Sequence, residues 1–255
     1  MFTRAIRLNL AACLFTSALL ASPIPAADAL TDADKTKVCG EMATLFRAAR
    51  AVISDNQELI DDAAKGDKGL TGAVVAAKTR EKFQKMAGQP LPDGDSGGKL
   101  AAEARAAMLA SIDDVMTANQ NWINEQGKGF KGFLPAVFAK MLADSFSKKM
   151  SGRMAIKLTA PKSLVRNRAN RPDEWEAKVM DTVFAAANYP RGKEFAEQAA
   201  HKQGRGWRLI VPEYYGQSCL KCHGEPKGQR DITGGLMEGG KLDQLGGAVS
   251  VVLFD

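Results

Sequence analysis

The sequence predicts an α+β fold: helices through the first 150 residues, then a small antiparallel sheet with one helix inserted. Three observations predict it. Apolar residues recur at helical spacing between residues 31 and 150; short alternating segments replace them from Met154 onward; and the chain closes on an apolar run, Ala248–Phe254, behind a stretch punctuated by glycines.

The elements follow in chain order. Arg4 and Arg7 precede an apolar stretch, Leu8–Leu20; Pro23 and Pro25 come next, and small residues end on Ala27-Asp28-Ala29. This is the layout of a secretory signal peptide with an A-x-A cleavage site, and the apolar stretch is too short to span a bilayer comfortably. Residues 1–29 are therefore read as a cleaved leader and 30–255 as a single domain exported to the periplasm. Leu10-Ala11-Ala12-Cys13 looks like a lipoprotein box, but the apolar run continues past Cys13 to Leu20. No later stretch is apolar enough to form a membrane span, so none is expected after cleavage.

Thr31 to about Lys65 reads as one long helix. Thr31 and Asp34 form a capping box, Val38, Met42, Leu45, Ala49 and Val52 form its stripe, and Gly66 stops it. Gly88–Gly98, rich in Gly, Pro and Asp, is a loop. A second helix runs from Lys99 to about Gln126, carrying Leu100, Ala104, Met108, Ile112, Val115 and Trp122. A third opens at Pro135, a residue suited to the first helical position, and ends near Met150. Met154–Thr159 alternates as a strand. Pro172-Asp173-Glu174 opens a helix carrying Trp175, Val179, Val183 and Phe184. Glu194–Ala200 and Trp207–Val211 read as two strands joined by a turn, and Ala248–Phe254 as a terminal strand.

The formal charge is +6, spread along the chain without a long Lys/Arg run, so nucleic-acid binding is not expected. With Cys13 in the leader, Cys39, Cys219 and Cys222 remain. Cys219-Leu220-Lys221-Cys222-His223 is the attachment sequence of a c-type haem. Two thiols separated by two residues in a tight turn reach the two vinyl groups of one porphyrin, and the adjacent histidine reaches the iron as proximal ligand. Two other readings of the pattern stay open: a redox-active C-x-x-C, and a zinc site recruiting Cys39 with Cys219, Cys222 and His223. Export weighs against a reduced zinc-thiolate site. For the sixth iron position, His201 sits in a turn-like segment and the methionines fall on apolar helix faces. Cys39 remains, beside the apolar stripe of the first helix, as a buried thiol or a ligand. Arg166, Arg168 and Arg171 cluster before Trp175, as partners for haem propionates or as a solvated basic loop.

The chain resembles a family of single-haem c-type proteins with a PAS-like fold, found as periplasmic sensing domains of chemotaxis receptors and histidine kinases and as free exported proteins. The resemblance rests on Phe133-Leu134-Pro135-Ala136-Val137-Phe138, Ile156-Lys157-Leu158-Thr159, Arg166-Asn167, Asn170 through Glu176, Cys219 through Gly224, and Gly247-Ala248-Val249-Ser250-Val251. It implies a PAS-like antiparallel sheet with long N-terminal helices packed around one covalent haem. It also implies thioethers at Cys219 and Cys222, His223 as proximal ligand and Cys39 as distal thiolate ligand. A thiolate favours Fe(III) over Fe(II), and its release on reduction opens a position for NO or CO. The function expected is a redox or diatomic-gas sensor; the alternative is a soluble electron-transfer protein. An enzyme such as a peroxidase is disfavoured, because no distal His/Arg arrangement is visible. The sequence names no electron donor, acceptor or signalling partner.

Overall fold

The computed structural model describes residues 30–255; the leader read at 1–29 lies outside the described residues. Helix α1 (Asp32–Asp55) starts where the capping box places it, with the Thr31 side chain accepting from the Asp34 amide and the Asp34 carboxylate accepting from the Thr31 amide. It ends ten residues before the Lys65 at which Gly66 is expected to stop it. The Asn56 side chain donates to the Val52 carbonyl at 2.7 Å, taking the place of the next helical amide, and a single turn, α2 (Gln57–Ile60), follows. The same device divides the second predicted helix into α4 (Lys99–Ala118) and α5 (Gln120–Ile123): Asn119 donates to Val115 O at 2.7 Å.

Between them lies a further helix, α3 (Gly72–Ala87), which no clear apolar stripe marks in the sequence. Thr71 caps its start and Gly88, at φ 72°, ends it in the left-handed conformation. α3 packs closely on α4; a Cβ on Gly72 would stand 2.0 Å from Asp113 Oδ1, so only glycine fits there. Helix α6 (Pro135–Lys149) matches its expectation to within a residue.

The sheet is four-stranded and antiparallel, in the order β1-β4-β3-β2, from β1 (Met154–Thr159), β2 (Phe195–His201), β3 (Gly204–Tyr214) and β4 (Leu245–Phe254). The chain's last strand is thus a central one, paired with Leu253 opposite Met154 on one side and Val251 opposite Leu209 on the other. That explains its unbroken apolar run: a central strand covered on both faces has no solvent side.

Helix α1 is the spine. It packs on α3, α4 and α6, and also on β3 and β4. Cys39, Met42, Leu45, Phe46 and Ile53 are fully buried, with Leu209, Val249 and Val251 from the sheet. The opposite sheet face is covered by α7 (Glu174–Lys178) and the π-helical turn Val179–Val183 that continues it. Val179, Met180, Ile210 and Ala248 form a second apolar cluster there, flanked by Trp175, Phe184, Phe195 and Leu245. Across that face Arg208, 1% exposed, donates to Asp173 at 2.7 Å, lies 3.4 Å from Glu176 and stacks over Trp175. The architecture is α+β with an antiparallel sheet and helices first, as the sequence predicts.

Candidate haem-attachment site

β3 leads directly into the motif. A register shift between Glu213 and Tyr214 frees the chain from the ladder, and Tyr215 turns its ring inward. The short helix α8 (Leu220–His223) follows, with Cys219 as its first capping residue. The His223 amide donates to Cys219 O at 2.9 Å, and the Cys222 amide to the same oxygen at 3.2 Å. One helical turn therefore sets the two thiols three residues apart on one side. Both are free and half-buried. Burial and the nearby Asp231 carboxylate push the Cys222 thiol up, with Arg166 opposing.

His223 is the best-held side chain of the motif. Its Nδ1 lies 2.9 Å from Glu238 Oε2, and its ring stacks on Tyr215 with centroids 5.3 Å apart and planes 18° from parallel. With Nδ1 engaged by a carboxylate, Nε2 is the ring nitrogen left free to act as a ligand. Tyr215 sits in a slot made by two glycines. A Cβ on Gly246 would reach 2.4 Å from its Cε1, and one on Gly240 2.6 Å from its Cε2.

Arg166 locks the loop that follows. Its Nε and Nη2 donate to the two Glu238 oxygens, its Nη1 to Asp231, and its Nη2 also to the carbonyls of Cys222 and Leu236. Burial alone would raise the Glu238 carboxyl, but hydrogen bonds from Arg166 and His223 hold it below the usual range. Asp231 is brought down to about 2: its bonds to Thr233 and Arg166 outweigh burial.

The remaining predicted residues divide. Arg166 is committed to its two carboxylates and two carbonyls, so it braces the motif loop and is not free for a propionate. Arg168 and Arg171 are exposed, and Arg171 borders a shallow cavity with Lys162 and Pro172. His201 ends β2 opposite Gly204, with its ring against Phe254. It stands at the far end of the hairpin from Tyr214, about 33 Å of strand away. Cys39 is fully buried on α1, and burial pushes its thiol up to about 12. α1 runs alongside β3: Trp207 Nε1 donates to Thr36 at 3.1 Å, Gly40 lies beside Leu209, and Arg47 and Arg50 both pair with Glu213. Burial, with Arg47 beside it, pushes the Arg50 guanidinium down, and the nearby Cys219 opposes this, which places Arg50 close to the motif. Cys39 is thus at the Leu209 level, some 16 Å of helix rise from Arg50. Among the described residues no three His, Cys, Asp or Glu side chains gather as a metal-binding group, so Cys39, Cys219, Cys222 and His223 do not form a zinc site as they stand.

Glu238, Asp231 and the pair Arg47/Arg50 are neighbours of the motif that the sequence does not mark. They lie on a glycine-rich loop with no periodicity and on the polar side of α1, where spacing carries no signal.

An α+β domain presenting a C-x-x-C-H turn with its imidazole seated on a carboxylate is the class this arrangement defines. The chain belongs to the Tll0287-like family, whose sequence pattern matches residues 41–253. No curated protein and no solved structure matches it. Among the described residues no helix is long and apolar enough to cross a membrane.

Proposed function

We propose that this chain is an exported periplasmic protein carrying one covalent haem c, with thioethers to Cys219 and Cys222 and iron on His223 Nε2. The carrying observation is the motif turn itself: two free thiols three residues apart, followed by an imidazole whose Nδ1 is held by Glu238 at 2.9 Å. When bound, haem c supplies reversible one-electron iron chemistry and an axial position for a sixth ligand. The residues of this chain orient the imidazole, brace the loop through Arg166 and shield one ring face with Tyr215. Arg168 and Arg171 are free to meet propionates. Family membership supports the haem reading, because the family is of c-type cytochrome-like character.

Within that reading the role is a redox or diatomic-gas sensor, with Cys39 as a distal thiolate released on reduction to admit NO or CO. It requires the motif segment to close on α1, since Cys39 stands at the Leu209 level. That same placement favours the second reading, an electron carrier whose sixth ligand is not Cys39: a sealed thiol with its pKa raised to about 12 resists becoming a thiolate unless a metal displaces the proton.

The test is expression in a host competent for cytochrome c maturation, with a pyridine haemochrome assay and mass spectrometry of the adduct. A colourless product without adduct refutes the haem. In the coloured protein, ferric and ferrous spectra of Cys39→Ala divide the two roles. Loss of the wild-type low-spin ferric signature assigns the thiolate; an unchanged signature, with cycling free of ligand exchange, assigns the carrier.

A further inference from the structure

Most of the motif is held by its backbone, but its imidazole is held by a side chain from fifteen residues downstream, and that side chain is itself held. One Glu238 oxygen lies 2.9 Å from His223 Nδ1, and both of its oxygens accept from Arg166. Arg166 reaches back to the carbonyl of Cys222, the residue preceding His223. The contacts therefore close into a ring: motif backbone, Arg166, Glu238, imidazole. Tyr215 closes the remaining side, its ring pinned between His223 and the backbone of Gly240 and Gly246.

A carboxylate facing Nδ1–H does more than a neutral carbonyl can. Either acceptor fixes the tautomer. An anion also polarises the N–H bond, makes the ring a stronger donor at Nε2 and so favours the more highly charged iron. Arg166 works in the other direction, drawing charge from the same carboxylate.

We propose that Glu238 is a positioning residue that fixes the tautomer and sets the donor strength of His223 toward iron, and that Arg166 moderates it through their shared bonds. This rests on the haem reading above, and its test separates the two.

The first measurement needs no haem. In the full chain carrying Cys219→Ala and Cys222→Ala, nitrogen-15 NMR of the two histidines reports the tautomer. His223 is expected as the Nδ1–H form, and Glu238→Ala to give a mixture of forms. The second measurement is the midpoint potential of the haem-loaded protein. Glu238→Gln is expected to favour the ferrous form about tenfold, a rise of about 59 mV for a one-electron couple. Glu238→Asp, which keeps the charge but withdraws it, is expected to fall between wild type and Glu238→Gln. Should Glu238→Gln fail to fold, Glu238→Asp and the tautomer still decide. An Nε2–H tautomer in the wild-type background, or a potential that neither variant moves, overturns the proposal. A wild-type protein that takes up no haem refutes the haem reading, and the tautomer then judges the positioning role on its own.

Discussion

Gly246→Ala tests the slot in which the motif is seated. The new Cβ would stand 2.4, 2.6 and 2.7 Å from Cε1, Cδ1 and Cζ of Tyr215, about an ångström inside ordinary contact with three ring atoms at once. The ring has nowhere cheap to go. Its other face is stacked on His223, and its far edge meets the backbone at Gly240. Relief must come from sliding the ring into the imidazole or lifting the start of β4 off β3. Overpacking of this kind costs about 1–3 kcal/mol. For a domain of this size each kcal/mol lowers Tm by about 2–4 °C, so a fall of roughly 2–12 °C is expected. The assay is thermal and urea unfolding of the full chain, run as a cycle with Tyr215→Ala. On the Tyr215→Ala background the Gly246→Ala penalty should vanish, leaving a coupling of about 1–3 kcal/mol. Additive effects, or a Gly246→Ala protein as stable as wild type, would refute the slot.

Three further outcomes follow from the ion pairs and thiols. Arg208→Met should destabilise by about 3–5 kcal/mol, because Asp173 and Glu176 then face a buried surface with Lys157 as their remaining cation; urea midpoints measure it, and a neutral result would show the cluster to be dispensable. The Asp231 carboxyl is lowered from 3.8 to about 2 in the folded chain, so the stability it contributes is present above pH 4 and is lost as pH falls from about 4 to 2; Asp231→Asn should lack that part of the acid transition when followed by circular dichroism. In the haem-free protein a thiol reagent should label Cys219 and, more slowly, Cys222, and reach Cys39 only on unfolding, whereas rapid labelling of Cys39 would contradict its burial.

The parts of the fold legible in the sequence are those where periodicity and burial coincide. Pro135 and the stripe through Phe138, Leu142 and Phe146 place α6, and the alternation of Met154–Thr159 gives β1 to the residue. The first hairpin strand is legible to within one residue, Glu194–Ala200 against β2, whereas Trp207–Val211 is only the middle of β3: Gly204 and Gly206 are ordinary turn residues, yet β3 begins at Gly204, and a side chain at Gly206 would meet the Leu253 carbonyl at 2.4 Å. The helix ends at Asn56 and Asn119 were invisible to a hydrophobic stripe, because what stops them is a side-chain amide bonding back to a carbonyl. α3 is not legible as a stripe because its buried side is thin, with Val75, Thr79 and Phe83 facing inward and charge on the other faces. At the site, Cys219, Cys222 and His223 announce themselves by spacing. Glu238 and Asp231 do not, since a carboxylate in a glycine-rich loop acquires meaning only when folding brings Arg166 from some seventy residues upstream.

That division follows from how the two halves of the molecule are held. α1 and the sheet are joined by apolar burial, which writes itself into the sequence as periodicity. The loop from Gly224 to Gln244 has little to bury: Ile232, Leu236 and Leu242 are exposed, and most of its chain is glycine and polar residues. Its shape is fixed instead by Arg166, by close backbone contacts at Gly240 and by backbone bonds such as that from the Gly240 amide to His223 O at 2.7 Å. Charge-assisted bonds specify geometry sharply while contributing modestly to stability where they are partly exposed. A site built this way holds the imidazole in one orientation, and a substitution that keeps the shape of the bonds, Glu238→Gln, should alter the chemistry at His223 more than it alters the fold, whereas removing Arg166 would leave the fully buried Asp231 side chain without its cation.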